Sequence, residues 1–204
     1  MAVDGTQLKT RFSFGDTGQS MQQKKNVIAI SGMPGAGKGV AAHAAKQEGL
    51  EILVLGDVIR EETERRGLEP TPENVGKVML DVRRTDGLAG VAKRLIPKID
   101  ACSGVTIVVE GIRSDDELRE LRSHYNVFTF AIHASPQTRF QRLLARGRSD
   151  DPKDWATFHE RDVRELGVGL GSVVALADAM LINETSITEL QASFKTALKK
   201  LKLQ

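Results

Sequence analysis

From Asn26 onward the chain alternates short apolar runs with longer segments whose apolar positions recur at helical spacing. Val27-Ile28-Ala29-Ile30 is continuously apolar, the mark of a parallel strand buried on both faces. It ends at Ser31-Gly32. Lys38 to Gln47 then predicts a helix whose alanines allow close packing, stopped at Gly49. Glu51 to Leu55 is the next strand, and Asp57 to Arg66 the next helix, ending near Gly67. Pro70-Thr71-Pro72-Glu73 signals a helix start before Val75 to Arg84, and a further helix is expected over Leu88 to Ile99. Val105 to Val109 is the plainest strand of the chain. Asp115 to His124 reads as a helix, Val127 to Ile132 as a strand, and Ser135 caps a helix running to Arg146. Polar residues 147–154 break the pattern before helix resumes from Trp155 to Leu166, where Trp155 and Phe158 are expected to pack on the body. Met180 to Ile182 is a last short strand, and Ile187 to Leu201 a last amphipathic helix with Leu190, Phe194, Leu198 and Leu201 on one face. Strands alternating with helices predict an α/β fold, a five-stranded parallel sheet with helices on both faces.

Residues 1–25 do not share this pattern. Rich in Gly, Ser, Thr and Gln, with Phe12 and Phe14 as their apolar bulk, they are expected to form a flexible extension or leader. Residues 26–204 then make one domain, the natural size for a single buried core. The 29 basic and 27 acidic residues leave a net charge of +2, which argues against general nucleic-acid binding. No apolar run is long enough to span a bilayer, so no membrane partner is expected. The single Cys102 fits a reducing, cytoplasmic setting. His43, His124, His133 and His159 show neither metal-ligand spacing nor a paired nucleophile.

Gly32-Met33-Pro34-Gly35-Ala36-Gly37-Lys38 fits G-x-x-x-x-G-K, and it stands where that motif must stand, between a strand and a helix. Glycines let the chain turn tightly around an anion. Consecutive backbone N–H groups and the helix N-terminus then face the phosphates, while Lys38 brings a mobile charge to the outer ones. The loop therefore predicts an ATP phosphate site over Gly35, Ala36, Gly37, Lys38, Gly39 and Val40. Gly39 follows Lys38 where a hydroxyl residue normally holds magnesium, so the metal is expected to depend more on water and on an acidic residue elsewhere. Arg60 and Arg113 each follow a predicted strand, at the sheet edge where open α/β sheets bind ligands. A guanidinium can donate two hydrogen bonds to a phosphate at once, although a surface salt bridge is the plain alternative for each. Arg142, Arg146 and Arg148 crowd a helix end and its loop. Such charges repel unless an anion lies between them, the other reading being a basic end that suits the helix dipole.

These blocks resemble nucleoside monophosphate kinases of the adenylate kinase type. Gly32, Pro34, Gly35, Gly37, Lys38 and Gly39 match that family's G-x-P-G-x-G-K-G-T loop, with Val40 in place of Thr and one hydroxyl contact to phosphate missing. Gly56-Asp57-Val58-Ile59-Arg60 looks like its G-D-x-x-R segment, and Glu110-Gly111-Ile112-Arg113 like its D-G-x-x-R segment with Glu for Asp. Arg142 and Arg146 match the R-x-x-x-R pair that opens the lid. Arg148, Asp150 and Asp151 match the R-x-D-D that closes it, with Arg161 as the later lid arginine. The resemblance implies a three-layer P-loop NTPase fold with a small helical acceptor-binding insertion at about 56–100 and a short arginine-rich lid at about 142–165. It implies catalytic roles for Lys38, Glu110, Arg113 and Arg148, with Arg142 and Arg146 on the ATP phosphates. Asp57, Arg60, Arg113, Arg148 and Arg161 would serve the acceptor, and Glu110 would organise Mg2+ through water. The chain looks closest to an archaeal family of adenylate-kinase-related, dephospho-CoA-kinase-like proteins, to which Ala177-Asp178-Ala179-Met180-Leu181-Ile182-Asn183 also points. The activity implied is magnesium-dependent transfer of the γ-phosphoryl of ATP to a small nucleotide acceptor, AMP first. Dephospho-CoA kinase-like activity and a non-catalytic ATP/AMP-binding regulator are the alternatives.

Overall fold

Asn26–Ser31 (β1) is buried along all six of its residues, as a strand must be when sheet neighbours flank it and helices cover both its faces. The computed structural model describes residues 24–148 and 151–201. The expected N-terminal extension with Phe12 and Phe14, and Asp150 of the expected lid, lie outside the described residues. After β1 come α1 (Lys38–Gln47), β2 (Glu51–Val54), α2 (Leu55–Arg65), α3 (Pro72–Asp86) and α4 (Gly90–Ala101). Then follow β3 (Thr106–Ile112), α5 (Asp115–His124), β4 (Asn126–His133), α6 (Pro136–Arg146) and α7 (Trp155–Gly167). The last elements are α8 (Leu170–Ala175), β5 (Ala179–Ile182) and α9 (Ile187–Lys200).

The sheet has five strands, all parallel, in the order β2-β3-β1-β4-β5. Alternation along the strands divides the core in two. Val27, Ala29, Ile107 and Val109 face a cluster with residues of α2, α3, α4 and α5, whereas Ile28, Ile30, Val108, Phe130 and Ile132 face α1 and α9. Local capping agrees with this layout. Ser114 and Glu117 form a capping box at α5, Ser186 and Glu189 another at α9, and Thr71 and Ser135 accept from the backbone of α3 and α6. Helices α2, α3 and α4 pack on one another beside the β2–β3 end of the sheet, which is the small helical insertion expected there.

The structure departs from the sequence pattern in a few places. Leu55 opens α2 instead of closing β2; it is buried either way, so hydrophobicity carries no information about its backbone. β3 runs on to Ile112 because β1 keeps pairing with it past an irregularity: Ile30 pairs with Glu110 and Ser31 with Ile112, so Gly111 bulges out at a positive φ of 97°. α4 starts at Gly90, not Leu88, and α9 stops at Lys200. The short α8 has no counterpart in the sequence reading; Gly167, Gly169 and Gly171 hide a six-residue helix that tertiary burial of Leu170 and Val173 holds in place.

Candidate active site

β1 ends where the glycine-rich loop begins, and α1 begins where it ends. Gly37 caps α1 in the left-handed region at φ 107°, and a Cβ there would lie 2.3 Å from Asn183 Nδ2. Only glycine satisfies both conditions. Asn183, at the end of β5, donates from that Nδ2 to Ala36 O at 2.7 Å and so holds the loop to the sheet. Lys38 is half-buried, and its ammonium donates to Gly32 O at 2.8 Å and Met33 O at 3.3 Å. Burial lowers its pKa to about 8; Glu110 opposes this, Arg113 adds to it, Glu165 opposes it and Arg161 adds to it. Charged groups from β3 and α7 thus converge on the lysine of the loop.

Glu110 lies beside Ile30 in the β3–β1 pairing, at the carboxyl edge of the sheet. Its carboxyl is raised above the usual range by burial, against the pull of Lys38, with Asp57 adding to the rise and Arg148 opposing it. Asp57 of α2 and Arg148, just past α6, thus act on Glu110 through charge. Arg113 is fixed at both ends. Its backbone N–H donates to Glu117 Oε2 at 2.8 Å, and its Nη1 donates to Glu165 Oε1 at 3.1 Å. The buried Asp151 gathers the arginines expected of the lid: it accepts from Arg146 Nε at 2.9 Å and Arg148 N at 3.0 Å, and lies 3.7 Å from Arg161 Nη1.

The other candidates have partners of their own. Arg60 pairs with Asp57 on the exposed first turn of α2. Arg142 points to the β5–α9 connection, donating to Asn183 O at 2.9 Å and Thr185 O at 3.2 Å. Among the described residues no group of three or more His, Cys, Asp or Glu side chains is placed to cage a metal ion, and no helix is long and apolar enough to cross a membrane.

A family model described as an AAA domain matches residues 31–159. The UPF0200 protein of Hyperthermus butylicus is 44% identical over 175 residues, covering 86% of this chain and 94% of its own. UPF0200 protein MJ1399 of Methanocaldococcus jannaschii is 46% identical over 165 residues, covering 80% of this chain and 84% of its own. The chain belongs to the UPF0200 family and carries its AAA-type P-loop domain. Solved structures of similar shape are TT1252 from Thermus thermophilus (TM-score 0.60, 20% identity, 88% of this chain and 100% of that one) and a shikimate kinase from Bacteroides thetaiotaomicron (TM-score 0.60, 15% identity, 87% and 98%). A gluconokinase from Sinorhizobium meliloti aligns with a TM-score of 0.55 at 16% identity over 88% of this chain and 95% of its own. These likenesses establish the P-loop kinase-like fold of this UPF0200 protein.

Three groups at the site of this UPF0200 protein escaped the sequence reading. Glu165 pairs with Arg113. Asp162 takes two hydrogen bonds from Arg139, at 2.8 and 2.5 Å, and that same guanidinium donates to Pro34 O at 3.2 Å in the phosphate loop. A signal was present. Phe158, Arg161, Asp162 and Glu165 recur at helical spacing, so α7 turns one stripe inward, and the stripe is charged as well as apolar. The third group is Asn183, whose strand segment was noticed without its contact to the loop. Chemically, backbone N–H groups and a lysine stand ready for a polyphosphate. Arg113, just after β3, and Arg161 of α7 act by charge on that lysine, as does the half-buried carboxyl of Glu110.

Proposed function

We propose that the chain is an ATP-dependent small-molecule kinase acting on a nucleotide acceptor, a nucleoside monophosphate such as AMP. The observation that supports this best is the company of Lys38: its ammonium feels Glu110 of β3, Arg113 of the turn after β3 and Arg161 of α7. Phosphoryl transfer demands cations around the migrating group more than it demands a nucleophilic side chain. In this reading the loop amides and Lys38 hold the ATP phosphates, Arg113 holds the acceptor's phosphate, and Arg148 and Arg161 cover the group in transit. Arg60 and Asp57 edge the acceptor side, and Arg142 and Arg146 the ATP side. Magnesium characteristically uses one or two carboxylates together with waters and the nucleotide's own phosphates, so Asp57 and Glu110 suit it without a protein cage. A magnesium ion held there would neutralise phosphate charge, and Glu110 would be the residue to hold it, through water. The kinase-like fold of the shikimate kinase and gluconokinase neighbours supports the reaction class and leaves the acceptor to experiment.

A second reading has its own observation. Burial and Asp57 raise the carboxyl of Glu110, which brings it nearer to the basicity of a proton acceptor. That favours a hydroxyl acceptor, as in the dephospho-CoA kinase-like alternative. A panel with labelled ATP and magnesium against AMP, CMP, UMP, GMP and dephospho-CoA decides between them. Lys38→Ala is expected to abolish transfer and keep the fold. Transfer to no member of the panel, with AMP still bound tightly, leaves the non-catalytic regulator as the function.

A further inference from the structure

We propose that Glu165 is a positioning residue that holds the guanidinium of Arg113 in place for an acceptor's phosphate, and that α7 carries it at a fixed distance from the ATP loop. The inference rests on Arg113 being the acceptor's ligand. The Glu165 side chain is only 11% exposed and that of Arg113 is 43% exposed, so the carboxylate is the fixed partner and the arginine is the one restrained. Glu165 accepts from Nη1 alone, and no other side-chain partner of Arg113 occurs among the described residues. A guanidinium has five donors, so Nε and Nη2 are left for a planar or tetrahedral oxyanion. With Glu117 gripping its backbone N–H at 2.8 Å, Arg113 is restrained at both ends of a long side chain.

The anchor of Glu165 is visible one turn back along α7. Asp162 accepts from Nη1 and Nη2 of Arg139, and Arg139, 4% exposed, also donates to Ala134 O and to Pro34 O, each at 3.2 Å. The same guanidinium lies 4.9 Å from the ring centroid of Phe158, which is buried. One arginine therefore ties α7 to the loop that holds the ATP phosphates, and Glu165, three residues beyond Asp162, carries that reference to Arg113. Charge alone does not explain a carboxylate here, because beside an anion site it repels the ligand. Restraint of a flexible arginine does explain it, since freezing one such side chain on binding costs affinity.

The probe is inorganic phosphate, titrated into protein saturated with magnesium and a non-hydrolysable ATP analogue. Glu165→Ala is expected to weaken phosphate binding roughly three- to tenfold, the cost of ordering one arginine, with affinity for the analogue unchanged. Glu165→Met fills the space without an acceptor oxygen and should weaken binding equally, which separates a lost hydrogen bond from lost packing. Glu165→Gln keeps an oxygen for Nη1 and should return binding to within about twofold of wild type. Arg113→Ala should also weaken phosphate binding, and adding Glu165→Ala to it should cost nothing more. Phosphate binding that is unchanged or tighter in Glu165→Ala, losses that add in the double variant, or a wild type that binds no phosphate would each overturn the proposal. If this pattern holds while no acceptor in the panel is phosphorylated, the kinase reading fails and the role of Glu165 stands.

Discussion

Raising the pH should loosen the grip on ATP in a way that reports the protonation of one side chain. Lys38 is pulled down to about 8, chiefly by burial. Phosphates seated in the loop favour the charged ammonium, so its pKa in the complex lies higher and binding above pH 8 takes up a proton. The affinity should then be level below about pH 7 and fall toward tenfold per pH unit above 8. At pH 9 about nine in ten of the free molecules carry a neutral Lys38, which makes binding about tenfold weaker than at pH 7, or ~1.4 kcal/mol. Competition titrations with a fluorescent ATP analogue at fixed ionic strength measure the profile, and calorimetry in two buffers of different ionisation heat counts the proton. Lys38→Arg remains charged throughout and should flatten the curve. A wild-type profile that stays level through pH 8, or a Lys38→Arg profile with the same fall, would refute the assignment of the lowered pKa to the ATP site.

Two further outcomes follow from buried ion pairs. Arg139→Ala strands Asp162, whose side chain is 13% exposed, and should cost ~3–5 kcal/mol of stability together with some affinity for ATP through the lost bond to Pro34 O; an unchanged melting temperature would contradict this. Glu62 is held down to about 2 by hydrogen bonds from Arg65, against burial, with Arg66 and Arg94 adding to the effect. A lowered carboxyl stabilises above its ordinary value of 4.5 and loses that contribution as the pH falls toward 2. Glu62→Gln should therefore be less stable by ~3 kcal/mol at pH 7, and the gap should close by about pH 2; acid-unfolding curves that stay parallel for the two proteins would show that the network does not work this way.

Much of the candidate site is legible in the sequence. The glycine-rich loop declares itself because only glycines tolerate its turns and only a lysine on a helix start reaches its phosphates. Arg113 and Glu110 could be placed because a parallel sheet presents its ligands at the carboxyl ends of its strands. The stripe on α7 was harder to see. Arg139 reads as one more surface arginine beside Arg142 and Arg146, and nothing local says that it is buried against Pro34 O while Arg142 turns to Asn183 O.

The chain by itself determined the elements, their alternation and hence a parallel sheet, because apolar period and caps are local properties of consecutive residues. It also determined the phosphate loop, whose residues are all neighbours in sequence. Only the tertiary structure decided which charges meet. Lys38, Glu110, Arg113, Arg161 and Glu165 are spread over more than half the chain and converge because β1 and β3 are adjacent and α7 is bolted to the loop through Arg139 and Asp162. The same packing decided that Gly111 bulges, that Leu55 is helical and that α8 forms at all. Partners that lie far apart in sequence leave no period to read; their pairing is an energy of the folded state alone.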